Sequence, residues 1–174
     1  MPRLATVEPK DATGASAQIL AAAPINIYKG LAAHPKVFEA FVAFMKATGD
    51  GGALSKAEKE GVMLLVSERR RCDYCLAAHT RIAMGAGLTA DQALDARRGT
   101  GRDERSQAVL DFAGAVLAKD GFVSDDDLAS FRDAGFTDQA VIEVVAAITV
   151  MTFTNLYNHV HETEIDFPAV PALA

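Results

Sequence analysis

EGVMLLVSERRRCDYCLAAH, residues 60–79, is the stretch whose reading decides the fold. It opens on an apolar helical run, Val62, Met63, Leu65 and Val66. It then passes three consecutive arginines and delivers Cys72, Cys75 and His79. If Cys72 to His79 is helical, these three groups fall at i, i+3 and i+7 on one face. Cysteines at i and i+3 come within reach of a disulfide after modest adjustment. His79, one turn past Cys75, is near enough to take its proton directly or through one water. A helix starting near Cys72, a charged His79 and the cations Arg69, Arg70 and Arg71 all favour a thiolate. The thiolate is the nucleophile in both peroxide attack and thiol–disulfide exchange.

Working outward, the same local rules place helices along the rest of the chain. Ser55 with Glu58 forms a capping box ahead of Ala57–Glu68. Gly87 is a C-cap for a helix from Cys72 to Ala86, and Thr89 opens another through Ala96. Upstream, Val37, Phe38, Phe41, Val42, Phe44 and Met45 recur at helical spacing and stop at the turn Gly49–Gly52. Downstream, Glu104–Ala118 and Asp125–Ala134 read as helices. A long helix, Asp138 to about His161, follows Thr137 and is apolar on nearly all sides in its middle. Residues 1–23 form an arm with a short helix from Ser16, and 167–174 an extended tail. No segment alternates with a period of two, so the fold class is all-α, a helical bundle without the sheet that a thioredoxin-type CxxC helix requires. At an offset of 83, Glu60 aligns with Glu143 and Cys72-x-x-Cys75 with Asn155-x-x-Asn158, which reads as a degenerate internal duplication.

The chain has 174 residues, half of them hydrophobic, enough for one domain over 1–174 with a sizeable core. Its net charge of -6 gives a nucleic-acid partner no electrostatic footing. The N-terminus has no secretory pattern and the apolar run Val144–Phe153 is short for a bilayer, so the expectation is a cytoplasmic protein without membrane partners. A close cysteine pair in that compartment is redox-active or metal-binding rather than a staple. As a metal site, Cys72, Cys75 and His79 with a glutamate would supply four ligands, but no second ligand pair is evident on another segment. No cofactor is called for. Glu68, four residues before Cys72, competes with Glu60 as the partner of the pair.

Leu54 through His79, with Gly87-Leu88-Thr89, the opening Met1-Pro2-Arg3 and the late stretches Phe153–His159 and Thr163–Pro168, resembles the AhpD-like group of the carboxymuconolactone decarboxylase family. The most specific part is a glutamate twelve residues before a CxxC with a histidine four residues after it. The resemblance implies an all-α homo-oligomer and an oxidoreductase: a thiol-dependent peroxidase that reduces alkyl hydroperoxides in antioxidant defence. It implies recycling by an external dithiol reductant or a lipoyl-bearing protein. Cys75 matches the peroxide-attacking thiol, Cys72 the resolving thiol, and Glu60 and His79 the proton relay. Tyr74 stands where studied members carry a second histidine, and Arg70-Arg71 where relatives often have Asn-Gly. The other readings are a disulfide reductase or adaptor thiol protein with little peroxidase activity, and a Cys2His metal-binding stress-response module. Lactone decarboxylation does not rely on such a pair.

Overall fold

Capping side chains set the starts of four of the helices. A computed structural model of the chain describes residues 2–49 and 52–173; Met1 of the arm, Asp50 and Gly51 of the expected turn, and Ala174 of the tail lie outside the described residues. The helices are α1 (Gly14–Ala22), α2 (Asn26–Leu31), α3 (Pro35–Gly49), α4 (Lys56–Arg69), α5 (Asp73–Gly85), α6 (Ala90–Arg98), α7 (Glu104–Ala118), α8 (Asp125–Asp133) and α9 (Asp138–His161). No strand occurs among the described residues. Ser55 and Glu58 close a full capping box at α4, with the Ser55 N–H donating to the Glu58 carboxylate at 2.6 Å. Thr89 with Gln92, Asp103 with Ser106 and Ser124 with Asp127 do the same for α6, α7 and α8. Each such cap contributes on the order of 1 kcal/mol. Thr137 precedes α9 without a side-chain cap bond.

The most enclosed helix is α4, not α9. Every residue from Ala57 to Ser67 is buried, and α5, α6, α7 and α9 all pack on it. Its sequence hides this because it mixes apolar and charged residues. The charges are neutralised inside: Lys59 Nζ lies 3.1 Å from Glu143 and 2.8 Å from the Thr48 carbonyl. The apolar helix α9 has the bounds read from the sequence, Asp138–His161. By length and composition its 24 residues match a membrane span. It packs against α3, α4, α5 and α7 and buries Asn155, Asn158 and His161, as a core helix does. Its outer side leaves Ile142, Val145, Leu156 and Val160 exposed.

Between α4 and α5 the chain breaks; it does not run on as one helix. Arg71 adopts the left-handed conformation (φ 55). The Arg71 N–H donates to the Glu68 carbonyl and the Cys72 N–H to the Ser67 carbonyl, both at 3.0 Å. That pair of bonds is a Schellman motif, with arginine where glycine is usual. Cys72 therefore sits in extended conformation as the N-cap of α5, just outside the helix that carries Cys75 and His79. The unexpected α2 reaches the start of α5, its Ile27 N–H donating to the Tyr74 hydroxyl at 3.2 Å. The arm and tail are tied down around it: Arg3 and Leu4 N–H groups donate to His161, and Arg97 donates to the Pro171 carbonyl at 2.7 Å.

Candidate active site

The break after α4 aims the start of α5 at the sulfurs. Cys72 and Cys75 are free thiols, 1% and 2% exposed, with their Sγ atoms 2.9 Å apart. One sulfur can attack the other without backbone movement. From the facing α9, Asn158 Nδ2 donates to Cys75 Sγ at 3.2 Å and lies 4.0 Å from Cys72 Sγ. Thr154 Oγ1 is 4.0 Å from Cys75 Sγ. The Asn155 amide is fully buried, has no hydrogen bond of ordinary geometry, and lies near enough to the sulfurs to favour their ionised form. A buried amide without partners costs about 1–3 kcal/mol, so its position suits a charged neighbour.

This geometry makes the first proton of the pair easy to remove and the second hard. The Cys75 thiol donating to Cys72 brings Cys72 down to about 6, with the charge of His159 and the Asn155 amide helping against burial. The same contact, burial and the charge on Cys72 push Cys75 up; Asn158 opposes this. The contact thus favours a singly charged pair, with the remaining proton between two touching sulfurs.

Glu60 and His79 meet at the edge of the pair. His79 Nδ1 is 2.8 Å from Glu60 Oε2, and Glu60 is 6% exposed. The histidine thus takes the carboxylate as its partner and not a sulfur. Glu68 is turned away, 2.7 Å from Arg97 Nε, in an ion pair beside the tail. Tyr74 is buried, its hydroxyl accepting the Ile27 N–H at 3.2 Å and its ring edge-on to Phe167. Arg69 donates to the Gly114 carbonyl, while Arg70 and Arg71 face solvent. Among the described residues no group of three His, Cys, Asp or Glu side chains is arranged to hold a metal ion.

A cavity of ≈ 260 Å³ ends on Cys75. Ile27, Tyr28, Phe41, Met45 and Phe167 make it mainly apolar, with Glu60, His79, Thr154 and Asn158 among its polar groups. A larger groove of ≈ 730 Å³ between α7 and α8 is open and holds no cysteine or histidine. From the sequence, Asn155 and Asn158 stand out only as the second copy of a repeat, and no spacing singles out His159. The signal was present in the offset, because Cys75 meets the residue aligned with it, Asn158.

The carboxymuconolactone decarboxylase family model matches residues 35–118. No curated protein matches the chain. Among solved structures, a peroxidase-related protein from Ralstonia eutropha JMP134, described as an alkylhydroperoxidase AhpD core, superposes with a TM-score of 0.82. It is 26% identical, over 95% of this chain and 92% of that one. A peroxidase-related protein from Silicibacter sp. TM1040 follows at TM-score 0.72 and 23% identity, covering 78% and 73%. The debrominase Bmp8, in complex with 2,3,4-tribromopyrrole, shares the fold at TM-score 0.69 and 19% identity, covering 81% and 76%.

Proposed function

Because the chain belongs to the AhpD-like carboxymuconolactone decarboxylase family, we propose that it is a thiol-dependent peroxidase for organic hydroperoxides, with Cys75 as nucleophile and Cys72 as resolving thiol. The observation that carries this reading is the sulfur pair at 2.9 Å, with Cys75 and the Glu60–His79 pair on one apolar cavity.

The reduced pair holds one negative charge. Proton exchange across the short S–S contact puts that charge on Cys75, where Asn158 stabilises it. The Cys75 thiolate attacks the terminal oxygen of ROOH, the O–O bond breaks, and RO⁻ leaves. His79, held by Glu60, supplies the proton that makes it ROH. Cys75 is now a sulfenic acid. Cys72 attacks it, the S–O bond breaks, hydroxide leaves as water after protonation, and a Cys72–Cys75 disulfide remains. An external dithiol returns the pair to thiols. The apolar cavity favours a hydroperoxide with a hydrocarbon body over hydrogen peroxide.

Steady-state turnover of an alkyl hydroperoxide with a dithiol tests the assignment. Cys75→Ser and Cys72→Ser should each abolish turnover, and only Cys72→Ser should keep a single round of hydroperoxide consumption. Full turnover by Cys75→Ser would sink the assignment. A wild type that ignores hydroperoxide but exchanges rapidly with disulfides would make the site a disulfide reductase.

A further inference from the structure

The two sulfurs open onto different cavities. Cys75 ends the apolar cavity described above, and Cys72 is not part of its wall. Cys72 instead floors a second, more open cleft of ≈ 390 Å³, in whose wall Cys75 has no part. That cleft is rimmed by Arg71, Asp73, His159, Glu162 and Ile165, so it is polar where the first is apolar. Only Tyr74 and Asn158 line both. They form the partition. Tyr74 is pinned by its bond to the Ile27 N–H and its edge contact with Phe167, and Asn158 by its bond to Cys75 Sγ at 3.2 Å.

We propose that the cysteine pair is served through two openings, the oxidant reaching Cys75 through the apolar cavity and a dithiol reductant reaching Cys72 through the polar cleft. The inference rests on the peroxidase reading for its first half and on thiol–disulfide exchange for its second. Exchange at sulfur is an in-line displacement, so the entering sulfur, the attacked sulfur and the leaving sulfur are collinear. A thiolate that attacks Cys72 and expels Cys75 must therefore approach from the side of Cys72 away from Cys75, and the cleft lined by Cys72 without Cys75 is the opening that fits this approach. A hydroxyl on Cys75 that is expelled by Cys72 must likewise lie on the far side of Cys75, in the apolar cavity. The oxygen and the reductant thus use opposite ends of one S–S axis, and only electrons cross the partition.

The reductive half balances as follows. A donor thiolate forms a bond to Cys72 Sγ, the Cys72–Cys75 bond breaks, and Cys75 leaves as a thiolate facing Asn158. The donor's second thiolate attacks the donor sulfur of this mixed disulfide. Cys72 is released as a thiolate, the donor departs as its own disulfide, two electrons have passed to the protein pair, and one of the two protons stays between its sulfurs. His159, whose charge already bears on Cys72, favours both the entering and the departing anion.

The test starts from a disulfide made with diamide, so it needs no hydroperoxide activity. Oxidised wild-type protein is mixed briefly with cysteamine, acid-quenched and alkylated. Cys72 and Cys75 lie in one tryptic peptide, Cys72 to Arg81, whose fragment ions tell them apart. The expected product carries cysteamine on Cys72 and the alkyl group on Cys75. Cysteamine on Cys75, or an even split, overturns the proposal. As a second measurement, Ile165→Trp, on the polar cleft, should lower the ratio of dithiol-reduction rate to hydroperoxide-oxidation rate several-fold. Ile82→Trp, at the apolar cavity, should raise it. Ratios moving the same way in both variants would mean a single shared opening. Failure of the hydroperoxide to oxidise the pair at all sinks the peroxidase reading but leaves the adduct map to judge the cleft.

Discussion

The segment α4–α5 and the helix α9 align at an offset of 83 residues, yet one is broken and the other runs straight through. The break falls at Arg70–Cys72; the matching positions in α9 are Phe153, Thr154 and Asn155, all helical. The Schellman turn at Arg71 creates a fresh helix N-terminus beside the sulfurs, with unpaired N–H groups and a positive dipole end. The unbroken α9 has no such terminus there. It presents the neutral amides of Asn155 and Asn158 from mid-helix, with Thr154 Oγ1 placed to accept from Cys75. The same division runs through the aligned glutamates. Glu60 faces His79 on the cavity, whereas Glu143 accepts the N–H groups of Ala53 and Leu54 and pairs with Lys59. The broken segment carries the cysteine pair, Glu60 and His79, and the straight helix supplies the amides that face the sulfurs, with His159 beside them.

That division can be broken by experiment. The largest effect should come from the reactive copy: His79→Ala slows hydroperoxide-driven thiol loss about a hundredfold, the usual weight of a general acid or base. Glu60→Gln should lie between that value and wild type. If His79→Ala matched wild type, the titrating role would not belong to the α5 side. On the straight helix, Asn155→Leu removes a neutral amide that favours ionised Cys72, worth about 1.5 kcal/mol to an anion, which raises the first thiol ionisation by about one unit. The sign follows from the donor favouring the charged form: the midpoint rises from about 6, so alkylation slows at low pH. The rate deficit should reach about tenfold below the midpoint and disappear toward the ordinary thiol range near 8.5. A pH-independent deficit would mean that Asn155 only packs.

Smaller effects sharpen the comparison through stability. Glu68→Gln leaves Arg97, a buried cation, short of its partner and should cost about 2 kcal/mol, less than for a fully buried pair because Glu68 is partly solvated. Its thiol kinetics should stay at wild-type rates, which separates Glu68 from Glu60. Finally, one substitution should act with opposite sign in the two copies. Arg71→Gly relieves a left-handed side chain and should gain about 1 kcal/mol. Thr154→Gly, its counterpart, loosens a helix interior and should lose about 1 kcal/mol or more. Thermal melts of both read the contrast directly; equal signs would deny that the break is built into the backbone.

What the sequence made legible was local. The capping residues Ser55, Thr89 and Ser124 announce their helices, and the bounds of α7 and α9 follow from periodicity, because caps and faces act within a turn or two. The break at Arg71 was not legible, since glycine is the usual sign of a left-handed C-terminus and arginine carries no such signal. Helix α2, six residues with Gly30 inside, is too short to show a period and owes its form to packing. At the site, Cys72, Cys75 and His79 stood out by spacing. The pairing of His79 with Glu60, nineteen residues away, entered only through the family resemblance. His159 and the two asparagines act across the interface between α9 and α5, where spacing along the chain carries no information.

The measurement that bears most directly on this account starts from fully reduced protein, freed of reductant. One equivalent of cumene hydroperoxide is added, free thiols are counted with time, and the intact mass and the alcohol formed are recorded. The account predicts that both thiols disappear together, that the mass falls by two hydrogens, and that one alcohol forms per chain. Thiols that persist, or a stable gain of one oxygen without disulfide, would contradict it.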